Sequence, residues 1–289
     1  MKWGTRSGFG VKPGQINFGG AGLAGSLAVG LRAAWYFTGG GQEIPDLLGS
    51  NPLRPPAASN VISWAPTQLG IAGSFDGTND YVAAANAAQG RLLFGSGSFS
   101  VTALFRSTAT AAGIMVGKRT SATAGWELFL NLTTAGNVVM RLGDGSVSVN
   151  TNAWASMNDG RLHLATGVVN RATTTAYILG DGMSRTTGVS LGALASTNDT
   201  SATMKVGSRG ADQMYGGEIV MILLHDRALL ETEHMALWMD PFIFLRRPVR
   251  SFGSVVSGPQ PTVGAAVLTG LAGRMDQGLL TRTTIRGNT

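Results

Sequence analysis

Between residues 70 and 225, polar and apolar side chains alternate over short runs that glycines interrupt. The clearest run is Ser98-Phe99-Ser100-Val101-Thr102-Ala103-Leu104-Phe105. A period of two puts Phe99, Val101 and Ala103 on one face and Ser98, Ser100 and Thr102 on the other. Runs of this kind predict strands at 31–37, 70–75, 80–83, 98–106, 113–118, 126–133, 137–142, 147–150, 163–170, 173–179, 203–206 and 217–225. Gly143-Asp144-Gly145 and Gly180-Asp181-Gly182 are hairpin-type turn signals. Pro45, Pro52, Pro55 and Pro56 mark residues 45–60 as a loop rather than a central strand. One helix is predicted, over 231–239, and Pro241 stops it. Many short strands with such punctuation predict an all-β antiparallel sandwich or barrel.

The ends of the chain have a different character. Residues 1–28 are rich in glycine and weakly periodic, and they read as an N-terminal arm ahead of a sandwich over 29–240. Residues 241–289 open with Phe242-Ile243-Phe244-Leu245-Arg246-Arg247-Pro248, an apolar anchor followed by charge, and continue as a Gly/Pro/Val/Thr segment. This reads as an extended basic arm that orders on a partner. On this reading, truncation after Met239 leaves a folded domain.

Charge sharpens the division. The chain of 289 residues carries a formal +6, of which +3 lies in residues 1–30 and +5 in 241–289, leaving −2 for 31–240. Basic ends suit an acidic protein surface, and nucleic acid is disfavoured because no aromatic residues interleave with the basic ones. With no cysteine, disulfides and thiolate metal sites are excluded. No apolar run approaches the roughly 20 residues that span a bilayer.

Ala34-Trp35-Tyr36-Phe37, Phe75-Asp76-Gly77-Thr78-Asn79-Asp80-Tyr81-Val82, Ser98 to Ala103, Arg161 to Val168 with Ala176 to Gly182, Met204 to Gly207, and the strand-helix closure over 216–238 occur in this order. The ordered set resembles the concanavalin A-like, laminin G-type sandwich family, over about seven-tenths of the chain. The resemblance implies a jelly roll with one short C-terminal helix. Most relatives carry Ser or Thr just before the first acids of that helix; here Leu230 stands there and a capping side chain is missing. Some relatives bind calcium through loop oxygens, which makes Asp46, Asp76, Asn79 and Asp80 the weak candidates. Nothing matches a fixed ligand spacing, so no cofactor is expected.

The chemistry of catalysis is sparse. His163, His225 and His234 show no metal-ligand spacing, and Glu127 is the one acid within its strand. The expectation is therefore a protein without enzymatic activity. Tailed-phage structural proteins resemble this plan: a sandwich, a helix ending in a Pro-aromatic-Arg-Arg-Pro run, then a flexible tail. That implies a virion protein, such as a capsid decoration or a head or tail accessory protein, assembled in the bacterial host cytoplasm. It would be a homo-oligomer in the particle, held to capsid or tail subunits by Phe242, Phe244, Leu245, Arg246, Arg247 and Arg250. The alternative is a carbohydrate-binding module for host-surface glycans, with Trp64, Trp126 and Trp154 as stacking platforms. A glycoside hydrolase or lyase ranks behind both.

Overall fold

The period-two pattern at residues 98–105 is realised as drawn. Phe99, Val101, Ala103 and Phe105 enter the core between two sheets, and Ser100, Thr102 and Leu104 face the other way. The computed structural model describes residues 23–49, 51–84, 91–119, 124–182, 184–197, 202–210 and 212–245. Its elements are α1 (Leu23–Ala28), β1 (Leu31–Tyr36), β2 (Leu53–Arg54), β3 (Ser63–Thr67), β4 (Gly70–Asp76), β5 (Val82–Ala84), β6 (Phe99–Arg106) and β7 (Gly113–Arg119). There follow β8 (Gly125–Leu130), β9 (Val138–Gly143), β10 (Ser148–Asn150), β11 (Leu162–Asn170), β12 (Thr175–Gly180), β13 (Val189–Ser190), β14 (Lys205–Val206), β15 (Gly216–His225) and α2 (Glu231–Met239).

Two antiparallel sheets form the sandwich. The first runs β13-β12-β11-β6-β15-β4-β3, and the second β10-β9-β8-β7-β14-β5-β2. The long strand β15 organises the first sheet. One edge pairs with β6, from Glu218↔Arg106 to His225↔Ser100. Its other edge is shared, by β4 at Gly216–Ile219 and by β1 at Met221–His225. Pro66 falls in β3, an end strand of this sheet, where a missing N–H is tolerated. Between the sheets, Phe94 stacks on Phe99 at 4.4 Å and Trp126 closes on both rings.

The polar face of β6 does not meet water. Helices α1 and α2 and residues 242–245 cover the outer face of the first sheet with a second apolar cluster, including Leu27, Tyr36, Leu104, Leu164, Leu223, Leu237 and Phe244. Beneath it, Ser100 Oγ donates to Arg227 O at 2.9 Å, and Thr102, Thr166 and His234 form a hydrogen-bonded chain. Burying a side chain such as Leu27 or Phe244 contributes about 1.5–3 kcal/mol.

This layer corrects two expectations about the arms. The supposed arm over 1–28 ends in helix α1, pinned where His225 Nε2 donates to Leu27 O at 2.9 Å and Arg227 donates to Ser26 O and Val29 O at 2.8 Å each. The supposed docking anchor belongs to the sandwich itself. Phe244 is 5% exposed, Phe242 and Leu245 pack on the same cluster, and Tyr36 donates its hydroxyl to Pro241 O at 2.8 Å. An apolar run behind a helix reads as unpartnered in sequence because its partner, Tyr36, lies some two hundred residues earlier. Arg246, Arg247 and Arg250 lie outside the described residues.

Helix α2 starts at Leu230 without a side-chain cap. Glu233 compensates by accepting the Leu230 N–H at 3.0 Å, while Arg227 holds its carboxylate at 2.6 and 2.7 Å. This keeps the Glu233 carboxyl at about 2: burial opposes ionisation, but Arg227, Ser26 and the backbone donor outweigh it.

Candidate functional site

Four neighbouring strands of the first sheet, β11, β6, β15 and β4, bring their ends to one edge. The loops there surround a cleft of about 430 Å³. Its walls are Phe75 and Asp76 from β4, Arg106 at the end of β6 with Ser107 to Ala109 after it, Gly160 ahead of β11, and Gly216 to Glu218 from β15. The glycines keep the rim low. At Gly217, φ is +145° and a Cβ would lie 2.4 Å from Arg106 O, so no other residue fits without moving β6.

The charged side chains of the cleft and Ser107 are held from behind. Arg106 donates Nε to Glu218 Oε2 at 3.1 Å and Nη2 to Glu218 Oε1 at 3.0 Å, a bidentate pair that raises the Arg106 pKa. Asp76 Oδ1 accepts the backbone N–H groups of Thr78, Asn79 and Asp80 at 2.7, 3.1 and 3.3 Å. Partial burial favours the protonated acid, but those donors outweigh it and hold Asp76 below the usual carboxyl range. Asp80 is pushed the other way, by burial and by the Asp76 charge. Ser107 Oγ donates to Gly216 O at 2.6 Å, and Thr108 is exposed on the rim.

Beside the cleft, Gly160 donates its N–H to Ser107 O at 3.0 Å. The adjoining His163 sits between two carboxylates, with Nδ1 2.6 Å from Asp181 Oδ2 and Nε2 2.9 Å from Asp159 Oδ1. Burial lowers the imidazole pKa, yet the two carboxylates outweigh it and the pKa is raised. A ring with both nitrogens donating is the cationic form, and it ties the loop before β11 to the turn after β12.

The predicted stacking platforms are not gathered into one patch. Trp126 is 1% exposed and fills the core, because β8 points Trp126, Leu128 and Leu130 inward. Trp64 is half-buried on β3, at one end of the first sheet. Trp154 bridges Val138 of β9 and lies flat against Gly180 of β12, near the other end of the first sheet. The predicted calcium oxygens are divided too. Asp46 is buried and accepts the N–H groups of Ala34, Leu48 and Asn51, toward the far end of β15 from Asp76. Asn79 uses its N–H on Asp76 and its carbonyl on Asn60. Among the described residues no group of three or more His, Cys, Asp or Glu is placed to hold a metal ion. Glu127 is 1% exposed and gripped by Arg209 at 2.7 and 3.2 Å.

Sequence reasoning named Asp76 only as a weak calcium candidate and did not single out Arg106, Thr108 or Glu218. Their signal is weak, since Arg106 ends an ordinary strand and Glu218 begins another more than a hundred residues later. The start of β15, with Tyr215 before Gly216-Gly217-Glu218, holds the one hint: a glycine pair opening a strand marks a close backbone approach.

A two-sheet antiparallel sandwich with loops gathered around a cleft at one edge defines a jelly-roll domain of the lectin type. The Laminin_G_3 family model, described as the concanavalin A-like lectin/glucanases superfamily, matches residues 76–233, and the chain belongs to this family. No curated protein matches the sequence. Solved structures share the fold at low identity. The binding domain of Paraclostridial Mosquitocidal Protein 1 is 13% identical with a TM-score of 0.56, over 74% of this chain and 52% of that one. The chain thus corresponds to about half of that domain. Domain 4 of AbnA, a GH43 extracellular arabinanase from Geobacillus stearothermophilus solved with arabinotriose, is 15% identical with a TM-score of 0.56, over 72% of this chain and 97% of that one. Trypanosoma rangeli sialidase, solved with sialic acid, is 13% identical with a TM-score of 0.52, over 74% of this chain and 33% of that one.

Proposed function

We propose that this chain is a non-catalytic glycan-binding domain and that its ligand enters the cleft between Asp76, Arg106 and Glu218. The observation that carries the reading is the cleft itself. Four adjacent strand ends converge on a space of about 430 Å³ lined by an ion pair, a second carboxylate, hydroxyls and a low glycine rim. Ligand sites commonly occupy about 300–1,000 Å³ and carry a few convergent polar groups. Arabinotriose bound to a similar fold in AbnA Domain 4 supports the ligand class.

The state of the two lining carboxylates supports binding without turnover. A glycosidase needs one acid kept protonated opposite a second carboxylate. Here Asp76 is held ionised by backbone donors and Glu218 is engaged by Arg106. The deciding experiment is a glycan array with the wild-type chain and with Arg106→Ala. Retained glycans that the variant loses support the reading, and turnover of any of them removes its non-catalytic half.

The virion role, with capsid or tail partners, a homo-oligomeric state and assembly in a bacterial cytoplasm, rests on the basic ends. Residues 1–22 and 246–289 lie outside the described residues, and the apolar part of the anchor is spent on the sandwich. The two roles are compatible, and glycan binding is the one the fold relatives support.

A further inference from the structure

The cleft's charge arrangement goes beyond the class of ligand. Resting on the glycan reading above, we infer that the site selects uncharged saccharides and rejects those bearing carboxylate or sulfate. Among its lining residues Arg106 is the one cation, against Asp76 and Glu218, so the lining carries a net −1. That cation is already committed, because Glu218 takes Nε and Nη2 together.

The nearby cations are balanced by carboxylates: exposed Arg161 lies 3.6 Å from Asp159, and His163 sits between Asp159 and Asp181, so this group adds no net positive charge beside the cleft. On the neighbouring β6 the Phe105 ring faces His163 at 6.2 Å and adds no charge. Behind Asp76, Asp80 accepts the Asp76 N–H through Oδ2 at 3.2 Å and adds no cation. An anionic sugar would reach this cation only through Arg106 Nη1, with Glu218 on the same guanidinium and Asp76 beside it, so two carboxylates oppose it at one shared cation.

A neutral sugar meets the opposite situation. The turn uses Asp76 Oδ1 and the ion pair uses Nε and Nη2, so Asp76 Oδ2 and Arg106 Nη1 stand outside those bonds. A carboxylate oxygen accepts from one hydroxyl while a guanidinium nitrogen donates to another, and both bonds are charge-assisted. Thr108 supplies a hydroxyl on the rim. An ionised carboxylate on the ligand turns the Asp76 contact from attraction into repulsion.

The test uses an array that pairs neutral oligosaccharides with sialylated, sulfated or uronate counterparts, followed by calorimetry on the best pair. The neutral member should bind several-fold more tightly, roughly three- to tenfold, as expected for one like-charge contact at an exposed, solvent-screened carboxylate. Asp76→Asn keeps the Oδ1 acceptor of the turn and removes the charge, so it should narrow that ratio. Thr108→Lys, on the exposed rim and outside every bond described above, should narrow it further by raising affinity for the acidic member. Equal or tighter wild-type binding of the acidic member overturns the selectivity and leaves glycan binding standing. A ratio unchanged in Thr108→Lys overturns it too. Absence of binding to every glycan overturns the glycan reading and the selectivity with it.

Discussion

His225 and His234 are fully buried, and burial lowers both imidazoles to about 4. In the unfolded chain they titrate near 6.5. Between those values the unfolded chain binds more protons than the native one, so stability falls as pH drops from about 6.5 to about 4. Each histidine contributes up to about 3 kcal/mol of that loss. His163 works in the other direction. Its raised pKa makes its stabilisation complete below about 6.5 and loses it as pH rises through the folded value. Urea unfolding from pH 4 to 9 should give a steep acid limb that His234→Gln flattens. The advantage of the wild type over His163→Gln should shrink on the alkaline side, and a constant advantage would contradict the cationic ring. Glu127→Gln breaks a buried pair with Arg209 and should cost roughly 3–5 kcal/mol without touching glycan binding. At this scale the sequence names the residues but not their partners. His163, His225, His234 and Glu127 each sit in a buried or half-buried structural bond whose other member is distant in the chain.

The elements outside the sheets were harder to read. The strand alternations at 98–106 and 162–170 carry their own pattern, so β6 and β11 are predictable within a residue. Helix α1 is six residues of small and apolar side chains with no periodic face of its own. It exists through Leu27, His225 and Arg227, contacts that no local window contains. The same applies to residues 242–245, which close the outer layer of the first sheet. Truncation after Met239 should therefore destabilise the sandwich, contrary to the reading of this stretch as a detachable anchor. Phe244→Ala should cost about 3 kcal/mol as a core deletion. Thermal unfolding of the truncated and point variants measures both, and a Phe244→Ala melting point equal to the wild type would mean that the outer layer adds no stability.

For the whole molecule, fold and site differ in how far they can be read from sequence. A sandwich is the sum of local alternations, whereas the cleft is assembled by topology. β11, β6, β15 and β4 are neighbours in the sheet but scattered in the chain, so Arg106 meets Glu218 across 112 positions. Attachment to other proteins is a separate question, decided at the ends. The chain divides into a unit ending at Arg247 and a second from Pro248 to Thr289, and each side chain of the cleft belongs to the first. A chain ending after Arg247 keeps the outer layer, the ion pair and the Asp76 turn. It should melt with the full chain and bind the same glycans with unchanged affinity. If the basic tail fastens this protein to a virion, the shortened chain should lose a competition with the full chain for incorporation into particles. Equal incorporation would place attachment on the sandwich, and a loss of glycan binding on shortening would place part of the ligand site beyond Arg247.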